Sequence, residues 1–359
     1  MSENFADRNV LVVGGAGFIG SNLVRSVLNE CPRQLTIVDN FLSADRSNVA
    51  DDPAIRLIEG SIADDHVLGQ LGDDLDYVFH LACYHGNQSS IHDPLADHDN
   101  NLITSLRLFE RLKHMASLKK VVYAAAGCAV AEKTFDGARA TTEDAPVSLF
   151  HDSPYSISKI VGEMYGNYYF ARYGLPLVKA RFQNVYGPGE ILGAGRWRGT
   201  MHTVWRNVTP TFIWKALHQE ALPIENGGIA TRDFIFVEDM VRGLQACALR
   251  GAPGEVYNLG SGRETSIRQW AELINAEAGN PTPPTVTPAR NWDRSGQRFA
   301  STEKAYQKLR FRAEIDVEEG IRRTVEWTKT HRADILRCMM LHAHSLPEVR
   351  AYEAQTGLR

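Results

Sequence analysis

The sequence predicts an α/β fold, a doubly wound parallel sheet followed by a smaller C-terminal α/β lobe. Three observations predict it. Short apolar runs alternate with helical patterns through the first half of the chain, as in a parallel sheet covered on both faces. A glycine-rich turn at 14–20 falls between the first of those runs and a helix. After Gly187-Pro188-Gly189 the periodicity lapses, then resumes with shorter elements.

In chain order, Asn9–Val13 reads as a buried strand, 14–20 as the turn, and a helix runs to about Glu30. Gln34–Val38 is a second strand ending at Asp39. Further apolar runs at 55–58, 77–82 and 120–126 are separated by helical patterns, the clearest at 95–115. Ser153 suits an N-cap, Pro154 the first helical position, and Ile157, Ile160 and Val161 an apolar stripe. Together they predict a helix from Pro154 to about Tyr173, with a strand at 176–182 after it. Residues 189–210 carry four glycines, two tryptophans and three arginines and read as a long functional loop. Beyond it, helices are expected at about 210–220, 238–249, 266–278, 302–309 and from about 317, with strands at 233–236 and 255–258. A Pro-rich break covers 280–284, and 331–359 reads as a helix that frays. The expected division is 1–188 for the sheet domain, 189–330 mainly for the lobe with the chain free to cross back, and 331–359 for a helical tail.

Composition narrows the class. With 359 residues, 43% of them apolar, the chain can form one large domain or two sharing a cleft. A net charge of −4 argues against a dedicated nucleic-acid binder. The five cysteines are dispersed, odd in number and without a C-x-x-C pair. That pattern predicts reduced thiols in a cytoplasmic protein, with no disulfide framework and no metal site. The N-terminal stretch has no apolar signal core, and no run nears the ~18 apolar residues of a membrane span.

Two stretches carry chemistry. In Gly14-Gly15-Ala16-Gly17-Phe18-Ile19-Gly20 the glycines permit a tight turn and let the backbone approach a pyrophosphate at a helix N-terminus. Asp39, 19 residues after Gly20, is placed to accept hydrogen bonds from a ribose diol. Its carboxylate repels a 2′-phosphate, so NAD is favoured over NADP. The second stretch is Ser153–Lys159. Tyr155 and Lys159 stand four residues apart, which on a helix places both on one face. A free phenol titrates near ~10, and a neighbouring ammonium lowers that value and makes a base.

With these motifs the sequence resembles, from about residue 9 to 330, the extended short-chain dehydrogenase/reductase family and its nucleotide-sugar epimerases and dehydratases, UDP-glucose 4-epimerase-like members among them. Gly14, Gly17 and Gly20 match the family's G-x-x-G-x-x-G, and His80-Leu81-Ala82-Cys83 resembles its H-L-A-A segment. Tyr155 and Lys159 match its Y-x-x-x-K, and its structural Asn falls on Asn101. Arg181–Pro188 is similar to R-x-x-N-x-Y-G-P, which meets the sugar-nucleotide phosphates, and Arg232–Asp239 to a segment whose Arg holds the diphosphate. The resemblance implies a Rossmann-like fold and an NAD site made by Gly14, Gly17, Phe18, Ile19, Gly20, Asp39, Asn40, Ser61, Ile62, Leu81, Ala82, Cys83, Asn101, Ala124, Tyr155 and Lys159. It implies a substrate site at His85, Asn87, Ala126, Asn184, Arg198, Arg232 and one of Arg290, Arg294 and Arg298, with Arg294 taken as the contact. A homodimer paired through the helix at 95–115 and the Tyr155 helix is also implied.

One departure stands out. The family's Ser or Thr after the fifth strand, which hydrogen-bonds the reacting sugar oxygen, aligns with Ala126, and no Ser or Thr lies between Leu118 and Thr134. Cys128 is the nearest polar candidate and a plausible acid or base. Gly127-Cys128 offers no carboxylate, which disfavours the 4,6-dehydratases. Cys128 does align with the acid/base cysteine of the GDP-mannose 3,5-epimerases, but their second carrier, a lysine, is Arg198 here, a poor proton donor. The expected function is therefore an isomerase, an NAD-dependent nucleotide-sugar epimerase acting at C4 of an NDP-hexose through a transient 4-keto sugar. Tyr155 and Lys159, with Cys128, are the catalytic candidates. A 3,5-epimerase using Cys128, a nucleotide-sugar 4-dehydrogenase and a non-catalytic NAD-binding sensor are the alternatives.

Overall fold

The alternating apolar runs assemble into one seven-stranded sheet whose strand pairs are all parallel. The computed structural model describes residues 4–84, 86–131, 134–190, 207–289 and 296–343, with backbone alone over 339–343. The strands are β1 (Asn9–Val13), β2 (Gln34–Asp39), β3 (Ile55–Glu59), β4 (Tyr77–His80), β5 (Lys120–Ala126) and β6 (Leu177–Phe182). Three short strands follow outside the large sheet, β7 (Asn184–Tyr186), β8 (Pro223–Glu225) and β9 (Thr231–Arg232). β10 (Phe234–Phe236) pairs with β7, and β11 (Val256–Leu259) returns to the large sheet beside β6. The order β11-β6-β5-β4-β1-β2-β3 reverses direction after β1, the crevice where doubly wound sheets bind ligands.

The helices are α1 (Phe18–Leu28), α2 (Asp65–Leu68), α3 (Asn87–His92), α4 (Pro94–His98), α5 (Thr104–Leu112), α6 (Pro154–Tyr173), α7 (Val208–Leu217), α8 (Val237–Arg250), α9 (Ile267–Ala278), α10 (Glu303–Leu309), α11 (Val317–Thr330) and α12 (Arg332–Ala343). They cover both faces of the sheet. Val10 and Val12 of β1 join Leu23 and Val27 of α1 and Leu244 of α8 in one core. Leu11 and Val13, one residue out of phase, join Leu108 and Phe109 of α5 and Tyr169 of α6 in the other. Because β1, β4 and β5 are buried on both faces, they read as continuous apolar runs, whereas the edge strand β3 alternates and is only partly buried.

The predicted 95–115 helix forms as an unbroken helical run over 94–112. Asp93 caps a new helix, its Oδ1 accepting from the Ala96 N–H at 3.0 Å, and Pro94 begins it. A single π-turn over Asp99–Ile103 lies inside this run and joins α4 to α5. The prediction for α6 holds at both ends. Ser153 accepts from the Ser156 N–H, Pro154 opens the helix, and Gly174 closes it in a left-handed conformation. One buried ion pair ties α6 to β6. Arg181 donates through Nε and Nη2 to the two Glu163 oxygens at 2.9 and 2.8 Å, and through Nη1 to the Glu143 carbonyl. The chain after residue 188 is not confined to a separate lobe, since β11 and α8 complete the large sheet and its cover.

Candidate active site

A cavity of about 360 Å³ opens along the C-terminal ends of the strands. Its first wall is the β1–α1 turn. Gly14 has φ +84°, and a Cβ there would stand 2.6 Å from the Ala82 nitrogen. A Cβ on Gly20 would collide with the Gly14 carbonyl oxygen. Only glycine lets this turn close and present its backbone, which is the cradle a dinucleotide pyrophosphate needs.

Asp39 ends β2 beside that turn. Its Oδ2 accepts from the Ala16 N–H and its Oδ1 from the Phe41 N–H, both at 2.9 Å. Burial pushes its carboxyl above the usual range, and these backbone bonds oppose the rise. Phe18, Ile19, Asn40, Ser61, Ile62, Leu81, Ala82, Cys83 and Ala124 line the same cavity, with Gly17. The residues present therefore fit NAD: a glycine cradle, a carboxylate for the ribose and an apolar floor.

Tyr155 and Lys159 enter the cavity from the first two turns of α6. Lys159 is buried and donates to the Ala124 carbonyl at 2.9 Å, and its Nζ lies 5.8 Å from the Tyr155 ring centre. Burial alone would lower its pKa, but Tyr123, Cys83, Asp97 and Cys128 around it favour the ammonium, and the balance is upward. A protonated lysine is thus held beside the phenol.

Asn101 lies behind the wall and does not line the cavity. The π-turn aims it inward, and its carboxamide is fully used. Oδ1 accepts from the Tyr84 N–H at 2.7 Å, while Nδ2 donates to the Tyr84 carbonyl and to Asp97 Oδ1 at 3.2 and 2.7 Å. It clamps the segment that leads to residues 85–87 and so acts on the site through position. Asp97, itself buried, holds that clamp from the other side. Nothing in the linear sequence singled out Asp97. Its signal is the i, i+4 spacing to Asn101.

On the substrate side, Asn87, Ala126, Cys128 and Asn184 all line the cavity. Arg181, the first residue of the segment compared with the phosphate-binding motif, does not, and Glu163 on α6 takes its guanidinium. Arg232 also stands outside the lining, donating through Nη1 to the Thr231 and Gly296 carbonyls. Of the three candidate arginines, Arg298 reaches the cavity, while Arg290 and Arg294 lie outside the described residues, as do His85 and Arg198. Gln183, Glu190 and Asn207 line it as well and were not expected.

The model of the NAD dependent epimerase/dehydratase family matches residues 10–260. The chain belongs to this family. Among its relatives, UDP-glucose 4-epimerase of Mycolicibacterium smegmatis is 31% identical over 325 residues, covering 88% of this chain and 97% of that one. The Bordetella bronchiseptica enzyme WbmF, solved in complex with NAD+ and UDP, is 58% identical with a TM-score of 0.85, covering 95% of this chain and 98% of that one. UDP-glucose 4-epimerase of Thermotoga maritima, solved with UDP-glucose, is 29% identical with a TM-score of 0.81, covering 90% and 99%. As a member of the epimerase/dehydratase family the chain is an NAD-dependent nucleotide-sugar epimerase of the extended short-chain dehydrogenase/reductase type. No helix of the described residues is long and apolar enough to cross a membrane.

Proposed function

We propose that this epimerase acts on a UDP-sugar and inverts C4 through a transient 4-keto sugar. The observation that carries the proposal is the convergence of three groups on one cavity: the Gly14–Gly20 cradle, the Tyr155–Lys159 pair, and the wall of Asn184 and Arg298. The uracil nucleotide is supported by the relatives crystallised with UDP and UDP-glucose.

The chain's own part in the reaction follows from the geometry. Bound NAD supplies reversible hydride chemistry. Lys159, held protonated and pinned to the Ala124 carbonyl, stabilises the Tyr155 phenolate. That phenolate takes the proton of the C4 hydroxyl and returns it after the sugar has presented its other face. Arg298 and Asn184 hold the diphosphate end while the sugar turns. Asp39 sets the cofactor's ribose and excludes a 2′-phosphate.

A second reading rests on one observation. Cys128 lines the cavity with Tyr155, while Ala126 brings no hydroxyl. A thiol there suits proton exchange at C3 or C5 of a keto sugar. One experiment decides. The protein is incubated with UDP-glucose, UDP-galactose and their N-acetyl and uronate forms in deuterated water. Inversion at C4 with no deuterium in the product is the expected result, and Tyr155→Phe lowers kcat by about 10³-fold. Deuterium at C3 or C5 replaces C4 inversion with the second reading.

The proposal includes a cytoplasmic homodimer. α6 exposes Ile157, Met164 and Tyr168 at 49, 55 and 51%, and the neighbouring α4 exposes Leu95 at 77%. This apolar stripe supports pairing through α6 and the helix at 95–115, the mode the family resemblance implies.

A further inference from the structure

We propose that Gln183 supplies the hydrogen bond to the reacting sugar that position 126 cannot. The inference deepens the proposed C4 reaction and rests on it for its kinetic arm. Gln183 follows the last residue of β6, and Phe182 is the register partner of Ala126 at the end of β5. Its backbone is fixed, because the Gln183 N–H donates to the Leu259 carbonyl at 3.1 Å and so extends the β6–β11 ladder. Its side chain lies across the turn that follows Ala126. A Cβ on Gly127 would overlap the Gln183 carboxamide nitrogen, and one on Gly260 would stand 2.7 Å from its Cγ. Two glycines thus leave the room this side chain fills.

Gln183 is half-buried and lines the cavity, its carboxamide against Gly127. Among the described residues the carboxamide hydrogen-bonds to none. The other carboxamides nearby differ in this respect. Asn207 donates to Glu190 at 2.8 Å, and Asn101 is consumed by Tyr84 and Asp97. A polar group held by packing, half out of water and without an internal partner is a group arranged for a ligand. An amide N–H there donates to the sugar oxygen as it gains negative charge, and the amide oxygen is free to accept from a neighbouring hydroxyl. Gln183 reaches the reacting end of the cavity from the strand beside the one that usually provides the hydroxyl.

The test compares Gln183→Leu, which keeps the packing over Gly127 and removes the polarity, with Gln183→Leu combined with Ala126→Ser, which returns a hydroxyl to the family's position. The expected result is a fall in kcat of about 100-fold for Gln183→Leu, with NAD affinity unchanged. Ala126→Ser then recovers about tenfold. A residue that only supported the Gly127 turn would not be rescued from position 126. A fall smaller than about fivefold, or one that Ala126→Ser leaves unrepaired, overturns the proposal. A binding arm keeps the test separate from the C4 assignment. With the NAD-loaded protein, Gln183→Leu is expected to weaken UDP-glucose about tenfold and leave UDP unchanged. Equal effects on the two ligands overturn the proposal whether or not turnover at C4 is observed. Turnover failing in the wild type with this binding difference intact removes the C4 reaction and leaves the Gln183 contact standing.

Discussion

The two sides of the cavity are built on different principles. The cofactor wall is made of backbone. Gly14 and Gly20 shape it by lacking side chains, and the Asp39 carboxylate on it is already bonded to the Ala16 and Phe41 N–H groups. The substrate wall is made of side chains set at the ends of strands. Gln183, Asn184 and Arg298 reach the cavity from β6, β7 and the segment after 295, and Gln183 keeps its hydrogen-bonding capacity in reserve. Folding therefore completes the first wall, whereas the second is completed by its ligand. Substitutions on the cofactor wall should change stability and binding together, and those on the substrate wall should change turnover with little change in stability.

The largest effect is expected at Gly20. A Cβ there meets the Gly14 carbonyl oxygen, so Gly20→Ala must open the β1–α1 turn. We expect NAD affinity to fall by about 100-fold or more, measured by calorimetric titration. The apo protein should lose about 1–3 kcal/mol in urea unfolding from overpacking. A variant that keeps its stability and still loses NAD would break the link between folding and cofactor binding on this wall.

The cofactor wall was also the more legible one. Its parts are local in sequence, because a strand, a glycine turn and a helix occupy 9–28, and Asp39 ends the next strand. The Tyr155 helix was legible for the same reason, with cap, proline and closing glycine all on the chain in order. The substrate wall resisted because its geometry depends on distant partners. Arg181 opens the segment compared with the phosphate-binding motif, yet Glu163, on another element, claims its guanidinium. Gln183 showed nothing by itself, since its meaning comes from Gly127 and Gly260. The 95–115 helix was legible, but the π-turn inside it was not, because apolar spacing does not register one, and Asn101 sits on that turn. Asn101 was then assigned to the cofactor, when its carboxamide serves Tyr84.

A smaller effect should separate the walls by pH. His80 ends β4 directly behind the cofactor floor and is fully buried. Its Nε2 lies 2.9 Å from Ser105 Oγ, which itself donates to the Asn101 carbonyl. The ring therefore carries its proton on Nε2, and Nδ1 has no partner among the described residues. Burial, with Lys159 nearby, pushes its pKa down to about 3. The unfolded chain takes up this proton near ~6.5 and the folded chain does not, so stability falls as pH drops below that value. From pH 7.5 to pH 5 the wild type should lose about 2 kcal/mol more than His80→Gln in urea unfolding. Identical pH profiles would mean that the floor of the cofactor wall tolerates a charge, and the contrast with the substrate wall would weaken.

The smallest effect is expected at Asn184, on the substrate side. It begins β7 and its backbone N–H donates to the Asp233 carbonyl at 2.9 Å, so the main chain is held whatever the side chain does. The half-buried side chain lines the cavity. Asn184→Ala removes one neutral hydrogen bond to the diphosphate, worth about 1 kcal/mol, or roughly fivefold in KM. Unfolding free energy should stay within about 0.5 kcal/mol of the wild type, because no internal partner is orphaned. kcat should stay nearly constant, since the diphosphate is held equally before and during the reaction. A destabilised Asn184→Ala with unchanged KM would show that this wall, like the first, is completed by folding, and the division between backbone-built and ligand-completed walls would fall there.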